Sequence, residues 1–139
     1  EVPCTNWSPP LEPFFSGVFS GAIWDNGVFE FPSSADDWAG FANNNTAIYP
    51  IELPDGGKIT FTASTEGTDI DVQFRFEFNP HPNVDPAYNS EILTVSGTSA
   101  KEYSVDIPSQ GENTYSSLIF YLKTRDQKLT ASDFKIIKN

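Results

Sequence analysis

Three side chains of one extended run, Gln73, Arg75 and Glu77 in DVQFRFEFNP, offer an amide, a guanidinium and a carboxylate at alternate positions. In a strand such residues share a face, which places Arg75 and Glu77 roughly 6.6–6.8 Å apart along the chain. Groups of this kind hydrogen-bond the polar rim of a ligand or pair with one another, and on an ordinary wet face they add little stability. Aromatic residues outside clear alternation supply the complementary chemistry, a flat apolar surface on which a ring can stack. Trp38 in ADDWAGFANNN is the sharpest candidate. Tyr88 in DPAYNS, Trp24 before the Asp25-Asn26-Gly27 turn, and Tyr121 in SSLIFYLKT follow; Tyr49 and Lys123 stand in similar settings. Each has a plainer role open to it, because Trp is usually largely buried and Trp38 or Trp24 can simply pack beneath a loop.

Catalytic constellations are weaker. Nineteen acidic residues make some carboxylate pair inevitable, so spacing alone argues for no glycosidase. His81 is the only histidine and sits among Asn79, Pro80 and Pro82 in a loop, without a nucleophile-elbow pattern or a phosphate-binding glycine loop elsewhere. The expectation is a non-enzyme. The single Cys4 excludes an internal disulfide and a cysteine metal cluster.

A net charge of −11 disfavours phosphate backbones, anionic lipid surfaces and polyanionic polymers, so neither nucleic acid nor membrane is expected as partner. A neutral ligand or a divalent cation suits the charge better. The 139 residues hold no apolar run long enough to span a bilayer and begin without Met, as in a mature or trimmed piece of something longer.

The scaffold follows from composition and period. Twelve Phe, five Tyr and three Trp among many Thr, Ser, Gly and Pro favour strands and turns. Residues 1–13, with four prolines and Trp7, read as an N-terminal arm or linker remnant whose tryptophan clamps against the body. Residues 14–139 read as one all-β domain, with strand-like runs near 18–24, 28–31 and in TAIYPIEL, KITFTAS, DVQFRFEF, EILTVSG, EYSVDIPS, SSLIFYLKT and LTASDFKIIKN. NPHPNVDPAYNS reads as a loop. Asn26-Gly27 predicts a hairpin. So many short strands, with no helical periodicity, imply an antiparallel β-sandwich, and a jelly roll in particular.

Three stretches resemble jelly-roll carbohydrate-binding modules of the family 4, 16 and 22 type: VFEFPSSADDWAGFANN, GGKITFTAST and the closing LTASDFKIIKN. The 79–90 loop and the FFSGVFSGAIWDNG hairpin depart from that pattern. The resemblance implies a non-catalytic, secreted or cell-surface module. It would bind a neutral polysaccharide, a β-glucan such as laminarin, and tether an appended catalytic domain to it as a monomer. It also implies that Trp38, Trp24, Gln73, Arg75, Glu77, Tyr88 and Tyr121 line the groove. By the same resemblance Glu30 and Asp133 would hold a structural Ca2+, with Asp36, Asp37 or Asp85 as further donors. The competing expectation is a structural or adhesion domain of an extracellular surface or fibre protein, its exposed aromatics meeting a protein partner.

Overall fold

A computed structural model of the chain describes residues 9–139, so Cys4 and Trp7 lie outside the described residues. These form strands β1 (Gly17–Phe19), β2 (Ile23–Asp25), β3 (Val28–Glu30), β4 (Gly40–Ala42), β5 (Ile51–Glu52), β6 (Gly57–Thr65) and β7 (Ile70–Glu77). They continue with β8 (Ala87–Asn89), β9 (Leu93–Val95), β10 (Lys101–Ile107), β11 (Thr114–Tyr115), β12 (Ser117–Leu122) and β13 (Lys128–Lys138). One sheet runs β1-β4-β12-β7-β8, with β9 on the remaining half of β7; the other runs β10-β6-β13-β3-β2. β5 and β11 form a short ribbon. Every pairing is antiparallel, and the two large sheets make a jelly-roll β-sandwich.

The layers meet through the residues that alternation assigns inward. Val72, Phe74 and Phe76 of β7 pair with Leu122, Phe120 and Leu118 of β12, and all six are buried. Ile59, Phe61 and Ala63 of β6 answer them from the other sheet. An aromatic seam runs through the middle: Phe74–Phe120 centroids lie 5.0 Å apart, Phe61–Phe134 5.3 Å and Phe15–Phe134 4.9 Å. Each fully buried ring stabilises the fold by about 1.5–3 kcal/mol through removal from water, with about 0.5–1.5 kcal/mol more per favourable ring pair.

Several local expectations give way to tertiary geometry. The run 18–24 is not one strand. Ser20 at φ 60° and Gly21 at φ 103° turn the chain from β1 in one sheet to β2 in the other, and a Cβ on Gly21 would stand 2.9 Å from the Ala35 Cα. Asn26 and Gly27, both at positive φ, make the expected hairpin turn between β2 and β3. Within TAIYPIEL, a 3-10 turn at Thr46–Ile48 replaces the first half of the strand, its end capped by the Asn45 side chain. Phe78 continues the alternation on paper, yet its backbone N–H turns to Val84 and Pro86 and its ring is part exposed. Part of NPHPNVDPAYNS, read as loop, returns to the sheet as β8. At the end of the N-terminal arm, Leu11 bridges to Ile136, tying it to β13.

Candidate ligand-binding cleft

The outward side of the six-stranded sheet carries a register-built row. Ala42, Ile119 and Arg75 are successive cross-strand neighbours on β4, β12 and β7, with Asn89 beyond them on β8. One step along, Ser117 lies opposite Glu77; on the other side Tyr121 lies opposite Gln73. Phe19 of β1 lies opposite Gly40 of β4, and a Cβ on Gly40 would come within 2.8 Å of the Tyr121 ring and 3.0 Å of the Phe19 ring. Glycine there lets the two rings approach edge to face, centroids 6.4 Å apart.

Loops at the strand ends raise walls on this floor. Trp38 stands on one side, and Asn43, Thr46 and Tyr49 with Pro80, His81 and Val84 stand on others, enclosing a cleft of about 870 Å³. That volume lies within the usual range for small-ligand sites. Trp38 is 64% exposed, and the loop carrying it is fastened from behind. Arg125 donates to the carbonyls of Pro32 (2.8 Å) and Ala35 (2.9 Å) and to Asp37 Oδ1 (2.8 Å), while its guanidinium lies 3.9 Å from the Phe31 ring centre. Asp126 accepts from the Ser33 hydroxyl and backbone N–H, and these bonds hold its carboxyl below the usual value. A large aromatic surface is thus displayed to solvent on a backbone that is already ordered.

The polar row inside the cleft is organised before any ligand arrives. Arg75 Nε donates to Glu77 Oε2 at 2.8 Å, Ser117 Oγ to Glu77 Oε1 at 2.9 Å, and Arg75 Nη1 to Asn89 Oδ1 at 3.1 Å. Glu77 is buried although it faces outward, because the surrounding loops close over its end of the strand. Burial pushes the Tyr121 phenol up, nearby Glu77 adds to this and Arg75 opposes it. Burial likewise raises Tyr49, whose oxygen accepts from the Leu118 N–H at 2.9 Å. Both hydroxyls therefore remain protonated donors through neutral and mildly alkaline pH.

Of the residues singled out from sequence, the cleft gathers Trp38, Tyr49, Arg75, Glu77 and Tyr121, with His81 on its wall. Gln73 is beside it on the same face, its amide committed to the Ser90 carbonyl at 2.8 Å. Tyr88 and Trp24 stand elsewhere, which corrects their placement. Tyr88 pairs with Phe76, so strand alternation turns it to the inner side, where its ring lies 6.4 Å from Phe76. Trp24 pairs with Phe29 at the edge of the other sheet and meets Phe14 edge to face at 5.5 Å. Phe19, Ala42, Asn43 and Val84 were not singled out; for Phe19 the alternation of GVFSG was the available signal, and for Asn43 there was none beyond its polar loop.

The proposed calcium donors do not come together. Glu30 pairs with Lys128, five positions before Asp133 on β13 and so roughly 17 Å from it along the strand. One ion needs oxygens at about 2.3–2.6 Å. Asp133 itself occupies the β13 bulge at φ 56°, and Asp37 is taken by Arg125. No group of three or more His, Cys, Asp or Glu gathers among the described residues. The donor set does not fit the ion. As for catalysis, Glu77 is the one carboxylate lining the cleft among the described residues, and both its oxygens are engaged. A two-carboxylate hydrolytic arrangement is not built there.

No protein-family profile matches the sequence, and no curated protein matches it. Solved structures do. A family 29 carbohydrate-binding module from Piromyces equi superposes with a TM-score of 0.55 at 16% identity, over 94% of this chain and 78% of that one. The fold is similar to that of carbohydrate-binding modules. A substituted form of CBM29-2 complexed with cellulohexaose gives a TM-score of 0.53 at 12% identity, over 90% of this chain and 78% of that one. A further family 29 module matches with a TM-score of 0.53 at 12% identity, over 90% and 76%. These likenesses are to family 29, whereas the sequence motifs resemble families 4, 16 and 22. At such identities they speak for the module fold, and the site must be argued from its own residues.

Proposed function

We propose that this domain is a non-catalytic carbohydrate-binding module that holds a neutral polysaccharide in the cleft of the six-stranded sheet. The observation that carries the reading is the exposed Trp38, fixed by the Arg125 and Asp126 contacts, at the mouth of a cleft whose floor holds the ordered Arg75–Glu77–Ser117 row. A sugar ring has a C–H-rich face that stacks on an aromatic surface and a rim of hydroxyls for fixed polar groups. Similarity of fold to solved carbohydrate-binding modules, one of them complexed with cellulohexaose, supports the same reading. A β-glucan such as laminarin is the proposed ligand. In an extracellular setting the module keeps an appended enzyme near that polymer and raises its effective local concentration.

Affinity electrophoresis through gels containing laminarin, xylan, mannan, cellulose derivatives or alginate tests this. A neutral polymer should retard the domain, and Trp38→Ala should abolish the retardation. Migration unchanged in every gel would sink the reading and favour the adhesion-domain alternative.

A further inference from the structure

A second hollow, of about 510 Å³, lies between the end of the N-terminal arm, the β2–β3 hairpin and the β13 bulge, and it shares no lining residue with the cleft. Its volume is within the usual range for small-ligand sites. Phe15, Phe29 and Phe134 line it from the core, all of them buried. Phe14 and Trp24 line it as well, meeting edge to face at 5.5 Å. Phe14 is 54% exposed although its backbone is pinned on both sides, its N–H donating to Asn43 Oδ1 at 2.8 Å and its carbonyl accepting from the Asn44 N–H at 2.7 Å. The Gly27 carbonyl accepts from the Ala131 N–H at 2.9 Å, which fastens the hairpin to β13. Aromatic surface is thus left open to water on ordered backbone, so a ligand packing there pays little reordering.

The polar side chains at this hollow are Glu12, Asn26, Ser132 and Asp133, all exposed and none with a hydrogen-bond or ion-pair partner among the described residues. Lys135, opposite Glu12 in the register that the Leu11–Ile136 bridge sets, is neither in the lining nor ion-paired to it. Asp133 owes its place to the β13 bulge, where a φ of 56° breaks the alternation while Phe134 enters the core. Bulges re-aim side chains in this way. Two carboxylates beside aromatic rings, with no cation in the lining, favour one kind of ligand. A metal ion would need six to eight oxygens, which phenyl rings do not supply. A neutral ring would use the aromatic surface and leave the carboxylates to water. An organic ammonium uses both, through attraction to the rings and pairing with the carboxylates.

We infer that this hollow is a second ligand site, for the protonated amino sugar of a glucosamine-bearing polysaccharide. It stands apart from the cleft and does not depend on what the cleft holds. The C–H face of the sugar packs on Trp24 and Phe14, its ammonium meets Glu12 and Asp133, and its hydroxyls meet Asn26 and Ser132. Pairing with exposed carboxylates and attraction to the rings together correspond to about a tenfold preference for the cationic sugar over its N-acetylated form.

The test uses the whole domain carrying Trp38→Ala, which takes the cleft out of the measurement. It is titrated with a short glucosamine oligosaccharide and with its fully N-acetylated counterpart, at mildly acidic pH where the free amine is protonated. NMR signals of the backbone amides and indoles report place and affinity together. The glucosamine form should shift the Trp24 indole and the Asn26 and Asp133 amides and bind about tenfold more tightly. Glu12→Gln combined with Asp133→Asn keeps the shape, since asparagine tolerates the left-handed backbone there, and should bring the two affinities together. Trp24→Ala should remove binding of both. Equal or tighter binding of the N-acetylated form, shifts confined to other residues, or no shifts at all would overturn the inference. A ratio that stays near tenfold in the charge-neutral variant overturns the roles of Glu12 and Asp133. Each of these outcomes leaves the cleft reading standing, because gel retardation of the domain with Trp38 intact tests it separately.

Discussion

The two outer faces of the sandwich come from the same alternation and end in different chemistry. On the five-stranded sheet the outward cross-strand neighbours are Glu102 with Thr62, Ser104 with Thr60 and Asp106 with Lys58, a surface of short hydroxyls and interspersed charges. On the six-stranded sheet the outward set includes Ile119, Phe19, Tyr121 and the Arg75–Glu77 ion pair, whose carboxylate is buried. Of these residues on the first face only Thr60 is buried, whereas the second face is walled by the loops around Trp38, Tyr49 and His81. Facing outward is therefore not the same as facing water. The walls lower the local dielectric and make the Arg75–Glu77–Ser117 row matter, where the same charges on the first face would be screened.

The largest contrast should appear in stability. Glu77→Ala leaves the part-exposed Arg75 without its carboxylate and Ser117 without its acceptor, and should cost about 2–3 kcal/mol, within the range for hydrogen bonds to charged groups. Glu102→Ala on the first face should change stability by less than about 0.5 kcal/mol in the same denaturant titration. Comparable losses from both would erase the distinction between the faces.

Binding comes next. Trp38→Ala should lose about 2 kcal/mol of affinity, roughly thirtyfold, with an almost unchanged melting temperature because the ring is exposed. Thr62→Ala on the other face should leave retardation untouched. A smaller effect is expected from Gly40→Ala, whose methyl group must push the Tyr121 ring aside; binding should weaken several-fold, on the order of 1 kcal/mol, while the fold stays intact. The smallest effect is in acid. Asp126 is held below its ordinary value of 3.8, so its contribution is fully present above that pH and is lost as pH falls through the lowered folded value. Hydrogen exchange at the Ser33 amide should therefore stay slow at mildly acidic pH and quicken only below 3.8. Quickening well above it would detach Asp126 from the loop.

Alternation made much of the scaffold legible. It placed Val72, Phe74 and Phe76 inward and so put Arg75 and Glu77 on the other side, where they meet Tyr121. Legibility ended where partners lie far apart in the chain. Nothing local in DPAYNS announces that Tyr88 pairs with Phe76 and so turns inward, and nothing near Trp24 shows that Phe29 is its neighbour. The calcium donors failed for a related reason: strand register and a bulge in β13, neither encoded in short motifs, set the distance between Glu30 and Asp133. Phe78 shows the converse, since its side-chain pattern continues after its backbone has left the ladder.

The last strand, β13, occupies the middle of its sheet between β6 and β3, so Glu30 must wait for Lys128, 98 residues later, before its pairing can form. Contacts this distant in sequence place refolding on the millisecond-to-second scale, slow for a chain of this size. Arg125 and Asp126 immediately precede that strand, so the tryptophan loop is fastened only as the sheet closes. Recovery of the proposed sugar binding during refolding would then lag behind early collapse, making such a ligand a timer for the final step of assembly.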